Sequence, residues 1–344
     1  ASASDNCTAT PTIELSKDDT NWSSTLSYTC LDMGGNTVYV RATDGTGNAA
    51  NTSVTLTIED NTDPTISSIT SGVTEILSGA GSATIDASSY VTASDNCTAS
   101  GSLIYEISET DGSGYATTFA ADCNDLGDKT FYFRVTDASG NVSTGSQVIA
   151  IADQTAPAIS SVSGVTVNLD ANGDATITAS DTYVTATDNC TASGGLTYLV
   201  SRASDGTFTS TLAVDCADLG SLDLYFKAQD AEGNTSAASS AATFTIADVT
   251  GPTTSANATT VILDANGDFT LTPLTLAASA SDNCSSSMTF ELSKDDTNWS
   301  STLSYDCSDL GSNTVYVRAS DGTNDGAGVS VTLTVQDLTG PTVT

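Results

Sequence analysis

The stretch Asp122-Cys123-Asn-Asp125-Leu-Gly127-Asp-Lys129-Thr-Phe131-Tyr-Phe-Arg134-Val-Thr-Asp137-Ala-Ser-Gly-Asn141 decides the fold. Its middle alternates strictly: Phe131, Phe133 and Val135 share one face and Tyr132 and Arg134 the other, the pattern of a strand with one side buried. Asp137 to Asn141 then reads as a turn, through Asp side-chain bonding to its own backbone and a Gly free to take positive φ. The phrase recurs at Val38-Tyr-Val-Arg41-Ala-Thr-Asp44, Leu224-Tyr-Phe-Lys227-Ala-Gln-Asp230 and Val315-Tyr-Val-Arg318-Ala-Ser-Asp321. Each copy is preceded by Asp-Asn-Cys (at 5–7, 95–97, 188–190 and 282–284) and followed by a linker Asp-x-Thr-x-Pro (at 60–64, 153–157, 248–252 and 337–341).

The cysteines at 7, 97, 190 and 284 lie 90 to 94 residues apart, so the chain is a tandem array. The repeats run 1–60, 61–153, 154–248 and 249–337, with 338–344 opening another. Residues 1–67 align without a gap on 278–344, and 14–28 is identical to 291–305. The first repeat is therefore expected to lack its opening strands, and the chain to be a window of a longer array.

No stretch carries a helical stripe. Val, Thr, Ile, Tyr and Ser fill short runs separated by Gly, Asn, Asp and Ser, which predicts an all-β chain. In the second repeat the expected strands are 65–69 with 73–77, 83–89, 103–109, a short region within 115–121, 130–136 and 146–152. Seven short strands at this spacing predict a tandem array of immunoglobulin-like β-sandwich domains. Arg41, Arg134, Lys227 and Arg318 hold one equivalent outward position, where Glu14, Glu106 or Glu291 would fit as a cross-strand partner.

Composition excludes several roles. With 42 acidic residues, 8 basic ones and no histidine, the formal charge is -34. Nucleic acid and anionic lipid would be repelled, and no apolar run is long enough to insert in a membrane. Without histidine there is no imidazole base for a serine or cysteine nucleophile, so no enzyme is expected. Eight cysteines, two per repeat, read as a disulfide framework made in an extracellular setting.

The order Asp-Asn-Cys, Asp-Cys-x-Asp-Leu-Gly, Thr136-Asp-Ala-Ser-Gly-Asn141, Asp-x-Thr-x-Pro resembles the HYR-type and related Ig-like repeats of very large Bacteroidota surface proteins. Gliding-motility adhesins exported by the type IX secretion system are among these. The resemblance covers the whole chain and implies a cell-surface adhesin segment. The chain departs from the fuller pattern in having Val142-Ser-Thr-Gly145 where a further cysteine would follow the Gly-Asn turn.

In an Ig-like sandwich the BC and FG loops lie at the end where the preceding linker arrives. Asp60 and Asp63 should thus approach Asp95 and Asp137, Asp153 should approach Asp188 and Asp230, and Asp248 should approach Asp282 and Asp321. Converging carboxylates repel unless a cation intervenes, and an oxygen-only donor set selects a hard ion. Ca2+ is the expected cofactor, since millimolar extracellular calcium fills even a site of roughly 0.1 to 1 mM affinity. The competing reading is that these aspartates only shape turns. Asp170-Ala-Asn-Gly-Asp174 and Asp264-Ala-Asn-Gly-Asp268 lack the distal glutamate of a calcium loop and are expected to be Asn-Gly hairpin turns.

Two disulfide schemes are open. Intradomain pairing gives Cys7–Cys30, Cys97–Cys123, Cys190–Cys216 and Cys284–Cys307, the expected scheme because small domains usually carry their own staple. Interdomain pairing gives Cys30–Cys97, Cys123–Cys190 and Cys216–Cys284. The expected function is a structural stalk or filament segment, its partners being neighbouring repeats. The alternatives are an Ig-like module binding glycans or proteins, and a fibre subunit associating laterally with other copies.

Overall fold

The computed structural model describes residues 1–180 and 182–342. The predicted opening of a further repeat at 338–344 falls partly outside them. The chain separates into two compact units, Ala1–Thr155 and Ala156–Thr344. Both are built of strands, and the helical segments are single turns.

In the first unit, residues 65–152 make two layers. One sheet has the order Thr74–Ile76, Val142–Ala152, Gly127–Thr136, Ile104–Ser108. Thr74–Ile76 runs parallel to its neighbour, and the remaining pairs are antiparallel. The second layer pairs Thr65–Ile69 with Val91–Ser94 and Ser82–Asp86 with Thr118–Asp122. An opening strand split between the layers, its second half parallel to the last strand, marks the immunoglobulin-like sandwich. Alternation places Phe131, Phe133 and Val135 inside, and Ile85, Ile107 and Ile149 are buried as well. Burial of one such side chain contributes about 1.5–3 kcal/mol.

The expected strand 83–89 is shorter. Asp86 accepts the Ser88 amide (2.9 Å) and caps a helical turn, Ala87–Tyr90, after which the strand resumes at Val91. Buried Ala87 and Tyr90 make the interruption part of the core. The region 115–121 yields one strand, Thr118–Asp122.

The second unit repeats the plan twice. Four-stranded sheets run Thr166–Asn168, Ala242–Ala247, Gly220–Gln229, Thr197–Ser201, and Thr259–Ile262, Val329–Gln336, Gly311–Ser320, Thr289–Ser293. Asp174–Thr178 pairs with Thr211–Asp215, and Asp268–Leu271 with Leu303–Asp306. Two cores result, one around Phe226 and Phe244 and the other around Leu292, Tyr305 and Leu333. The Asn-Gly segments are turns, with Asp170 accepting amides from Asn172 (2.8 Å) and Asp174 (3.1 Å) and Gly173 at φ +83°. The strands they join lie in different sheets, so they are not hairpins.

Residues 1–60 supply one antiparallel sheet, Thr12–Ser16, Gly34–Thr43 and Ala49–Ile58. On the outward faces the register sets Glu14 opposite Arg41, Glu106 opposite Arg134 and Glu291 opposite Arg318, with N–O distances of 2.7, 2.7 and 2.6 Å. In the remaining repeat Lys227 lies opposite Leu199 and over the Phe208 ring.

Candidate cation sites and disulfide staples

Each second cysteine opens a 3-10 turn fixed by its acidic neighbours. Asp122 accepts the Asn124 amide (2.7 Å) while Asp125 accepts the Asp122 amide (2.9 Å), a reciprocal cap that leaves Cys123 as the first residue of the turn. Thr29 with Asp32, Asp215 with Asp218 and Asp306 with Asp309 do the same around Cys30, Cys216 and Cys307. Each first cysteine lies in a loop closed by the preceding aspartate. Asp95 Oδ2 accepts the amides of Cys97 (2.9 Å) and Thr98 (2.8 Å), and Asp282 Oδ2 those of Cys284 (2.9 Å) and Ser285 (2.8 Å).

These placements overturn the expected intradomain disulfides. Cys30 bonds Cys97 and Cys216 bonds Cys284, with Cα separations of 5.1 and 5.2 Å. Cys123 and Cys190 are disulfide-bonded as well. Cys7 and Cys307 are free and exposed. The reason is topological. Asp122 pairs with Ser82, so Cys123 sits where that strand begins, whereas Cys97 follows its continuation, Val91–Ser94. Nine strand residues at about 3.3 Å each lie between, far more than the ~7 Å a disulfide can span.

In the first unit one carboxylate oxygen from each of Asp60, Asp95 and Asp137 lies within 4.8 Å of the others. Asp60 is 8% exposed and Asp137 3%. Asp137 is committed to its loop, accepting amides of Ser139 (2.9 Å) and Asn141 (2.8 Å) and the Asn141 side chain (2.7 Å). Burial pushes its pKa up, but these hydrogen bonds outweigh burial and hold the group below the usual carboxylate range. Asp60 and Asp95 each keep a buried oxygen, Oδ2 and Oδ1, with no hydrogen-bond partner. Among the described residues no Lys or Arg pairs with any of the three. Two oxygens on one calcium ion can be up to about 5 Å apart, so the spacing and the oxygen-only donors fit a hard cation. Asp63 is solvent-exposed and is not part of the group.

In the second unit Asp248, Asp282 and Asp321 form the same cluster, and Asp282 Oδ1 is buried without a partner. The pKa of Asp321 is pushed up by burial but brought below the ordinary value by amides of Asn324 and Thr323. Asp188 Oδ2 accepts the Cys190 and Thr191 amides (3.0 and 2.8 Å), and Asp230 accepts the Asn234 amide (2.7 Å). Asp153 belongs to the first unit and accepts the Thr155 amide (2.9 Å).

Sequence reasoning missed the asparagines that seat the linkers. Asn96 donates to Asp60 Oδ1 (3.2 Å) and Asn141 to the Asp60 carbonyl (3.1 Å). Asn283 and Asn324 repeat these bonds to Asp248 (3.3 and 3.1 Å). Their signal was present, since Asn follows the first Asp of every Asp-Asn-Cys and closes each later turn.

No family model and no curated protein matches the sequence. Among solved structures the chain is similar to the I-band fragment I67-I69 of titin, at 11% identity and TM-score 0.37, covering 80% of this chain and 100% of that one. It is also similar to Sidekick-1 immunoglobulin domains 1-5 (13%, TM-score 0.36, 95% and 74% covered). A third similar structure is PcdhgB3 EC1-4 (14%, TM-score 0.33, 89% and 83% covered).

Proposed function

We propose that the chain is a stalk segment of a repetitive bacterial surface adhesin, of the gliding-motility kind that its motifs resemble, with calcium bound by the aspartate clusters. The observation that carries this reading is the pair of disulfides Cys30–Cys97 and Cys216–Cys284, 67 and 68 residues apart, each joining residues on either side of an Asp-x-Thr-x-Pro linker. A bond there ties one repeat to the next, although Cys216 and Cys284 also pack against the core around Phe226. Under tension it removes the linker's freedom to extend, because load passes through the S–S bond and not through the linker alone. Calcium at the same place would neutralise carboxylates that otherwise repel and would stabilise only the ordered arrangement. The repeats would contribute length, one per sandwich, with no private binding site. The charge of -34 keeps neighbouring stalks apart unless cations screen it.

The test is exchange against deletion in the intact surface protein, with surface attachment as readout. Replacing residues 61–153 by a second copy of 249–337 should leave attachment nearly unchanged, whereas removing 61–153 should reduce it. Loss of attachment on exchange, with the protein folded and displayed, would make 61–153 a binding module and overturn the stalk reading.

A further inference from the structure

Asp60 gives the first observation: a carboxylate more than nine-tenths buried whose Oδ2 has no partner, facing Asp95 and Asp137 within 4.8 Å. The second comes from the tripeptide Asp95-Asn96-Cys97, in which every member is committed. Asp95 divides its carboxylate, giving Oδ2 to the amides of Cys97 and Thr98 and leaving Oδ1 buried and free. Asn96 donates to Asp60 Oδ1. Cys97 is bonded to Cys30, whose 3-10 turn is closed by Thr29 and Asp32. The candidate ligand atom and the sulfur are therefore two residues apart on one fixed turn.

We infer that the Asp-Asn-Cys tripeptide couples two devices: a hard cation held by Asp60, Asp95 and Asp137, and the Cys30–Cys97 disulfide, each stabilising the other. The inference rests on the calcium reading above and adds its regulation. With the disulfide formed, the 95–98 loop is already held, and the ion need not supply that ordering. With the ion bound, the linker and loop carboxylates stop repelling, and the turn keeps its sulfur shielded from an attacking thiolate. Linkage makes the effect reciprocal, and couplings of this kind are typically worth about 5- to 150-fold.

The experiment uses the full chain, with dithiothreitol as reductant in calcium or in a chelator. Dithiothreitol gives two electrons and two protons and becomes its cyclic disulfide, while Cys30 and Cys97 each become thiols that are alkylated and counted by mass spectrometry. Calcium uptake is measured in parallel by calorimetry. The expected result is that calcium slows reduction of Cys30–Cys97 about fivefold or more. Asp60→Asn with Asp95→Asn should remove that protection while Cys216–Cys284 in the same molecule keeps its own. Asp63→Asn, outside the cluster, should change neither. Calcium uptake with unchanged reduction rates would overturn the coupling and leave the cation site standing. Absence of calcium uptake by the oxidised chain would overturn the cation reading itself.

Discussion

Residues 14–28 and 291–305 are identical, yet they do not have the same structure. Leu303–Asp306 is a strand because Asp268–Leu271 lies beside it, pairing Leu271 with Leu303 and Phe269 with Tyr305. Among the described residues no strand pairs with the same Leu-Ser-Tyr at 26–28, which is irregular. Burial follows: Leu292 and Leu333 are wholly buried and Tyr305 nearly so, while Leu15 and Tyr28 are half-buried and Leu56 is 40% exposed. Local features are unaffected. Arg41 stacks over Trp22 and Arg318 over Trp299 at 4.3 and 4.5 Å, and Asp18 and Asp295 each accept an Asn amide at 2.8 Å. What depends on residues a few positions away is copied faithfully, and what depends on a second sheet is not.

The largest effect that would break this contrast is in the cores. Leu292→Ala should cost about 2–5 kcal/mol, since it empties a fully buried site. Leu15→Ala should cost less than about 1 kcal/mol, most of its transfer energy never having been gained. Denaturation followed by hydrogen exchange in Thr289–Ser293 and Thr12–Ser16 reads both, and equal losses would show that the first sheet has an equivalent core. Next in size, Phe269→Pro removes the ladder donor opposite Tyr305 from Asp268–Leu271 and should make 303–306 exchange as fast as 26–28. Slow exchange persisting at 303–306 would mean that the partner strand does not impose that structure.

Two smaller effects should be the same in both regions. Asp44 is held below the usual carboxylate range by the side chain and amide of Asn48 (both 2.8 Å), and Asp321 by the amides of Asn324 and Thr323 against the opposing effect of burial. A depressed folded pKa stabilises above the unfolded value of about 3.9 and is lost as pH falls through the folded value. Both loops should therefore loosen only in acid, below about pH 4. Asn48→Ala should raise the Asp44 pKa by NMR titration, whereas Asn324→Ala should raise that of Asp321 less because the backbone amides remain; no change at Asp44 would assign its shift elsewhere. Smallest, Glu14→Gln and Glu291→Gln should each cost about 0–1 kcal/mol, because both ion pairs are partly exposed. A much larger loss at Glu291 alone would show that the second sheet strengthens a surface pair.

Legibility in the sequence followed the range of the interaction. The strand alternation, the Asp-to-Asn turns, the outward Arg–Glu pairs of three repeats and the convergence of Asp60, Asp95 and Asp137 could be read because each recurs along the chain or follows from sandwich topology. Asp63 lies outside that cluster, which its closeness to Asp60 in sequence does not reveal. The disulfides were misassigned because the expectation that a small domain carries its own staple was set above the interdomain scheme, which the Cys30–Cys97 bond follows.

By itself the sequence determined what chain connectivity and side-chain periodicity determine, namely β-structure, repeat number, turn chemistry, charge and the absence of imidazole chemistry. Only the tertiary structure decided which cysteines meet, which carboxylate oxygens are left buried without partners, and whether an identical Leu-Ser-Tyr becomes a strand. Each of these is settled by segments distant in sequence, and a strand's hydrogen bonds and a carboxylate's solvation depend on what is placed beside them.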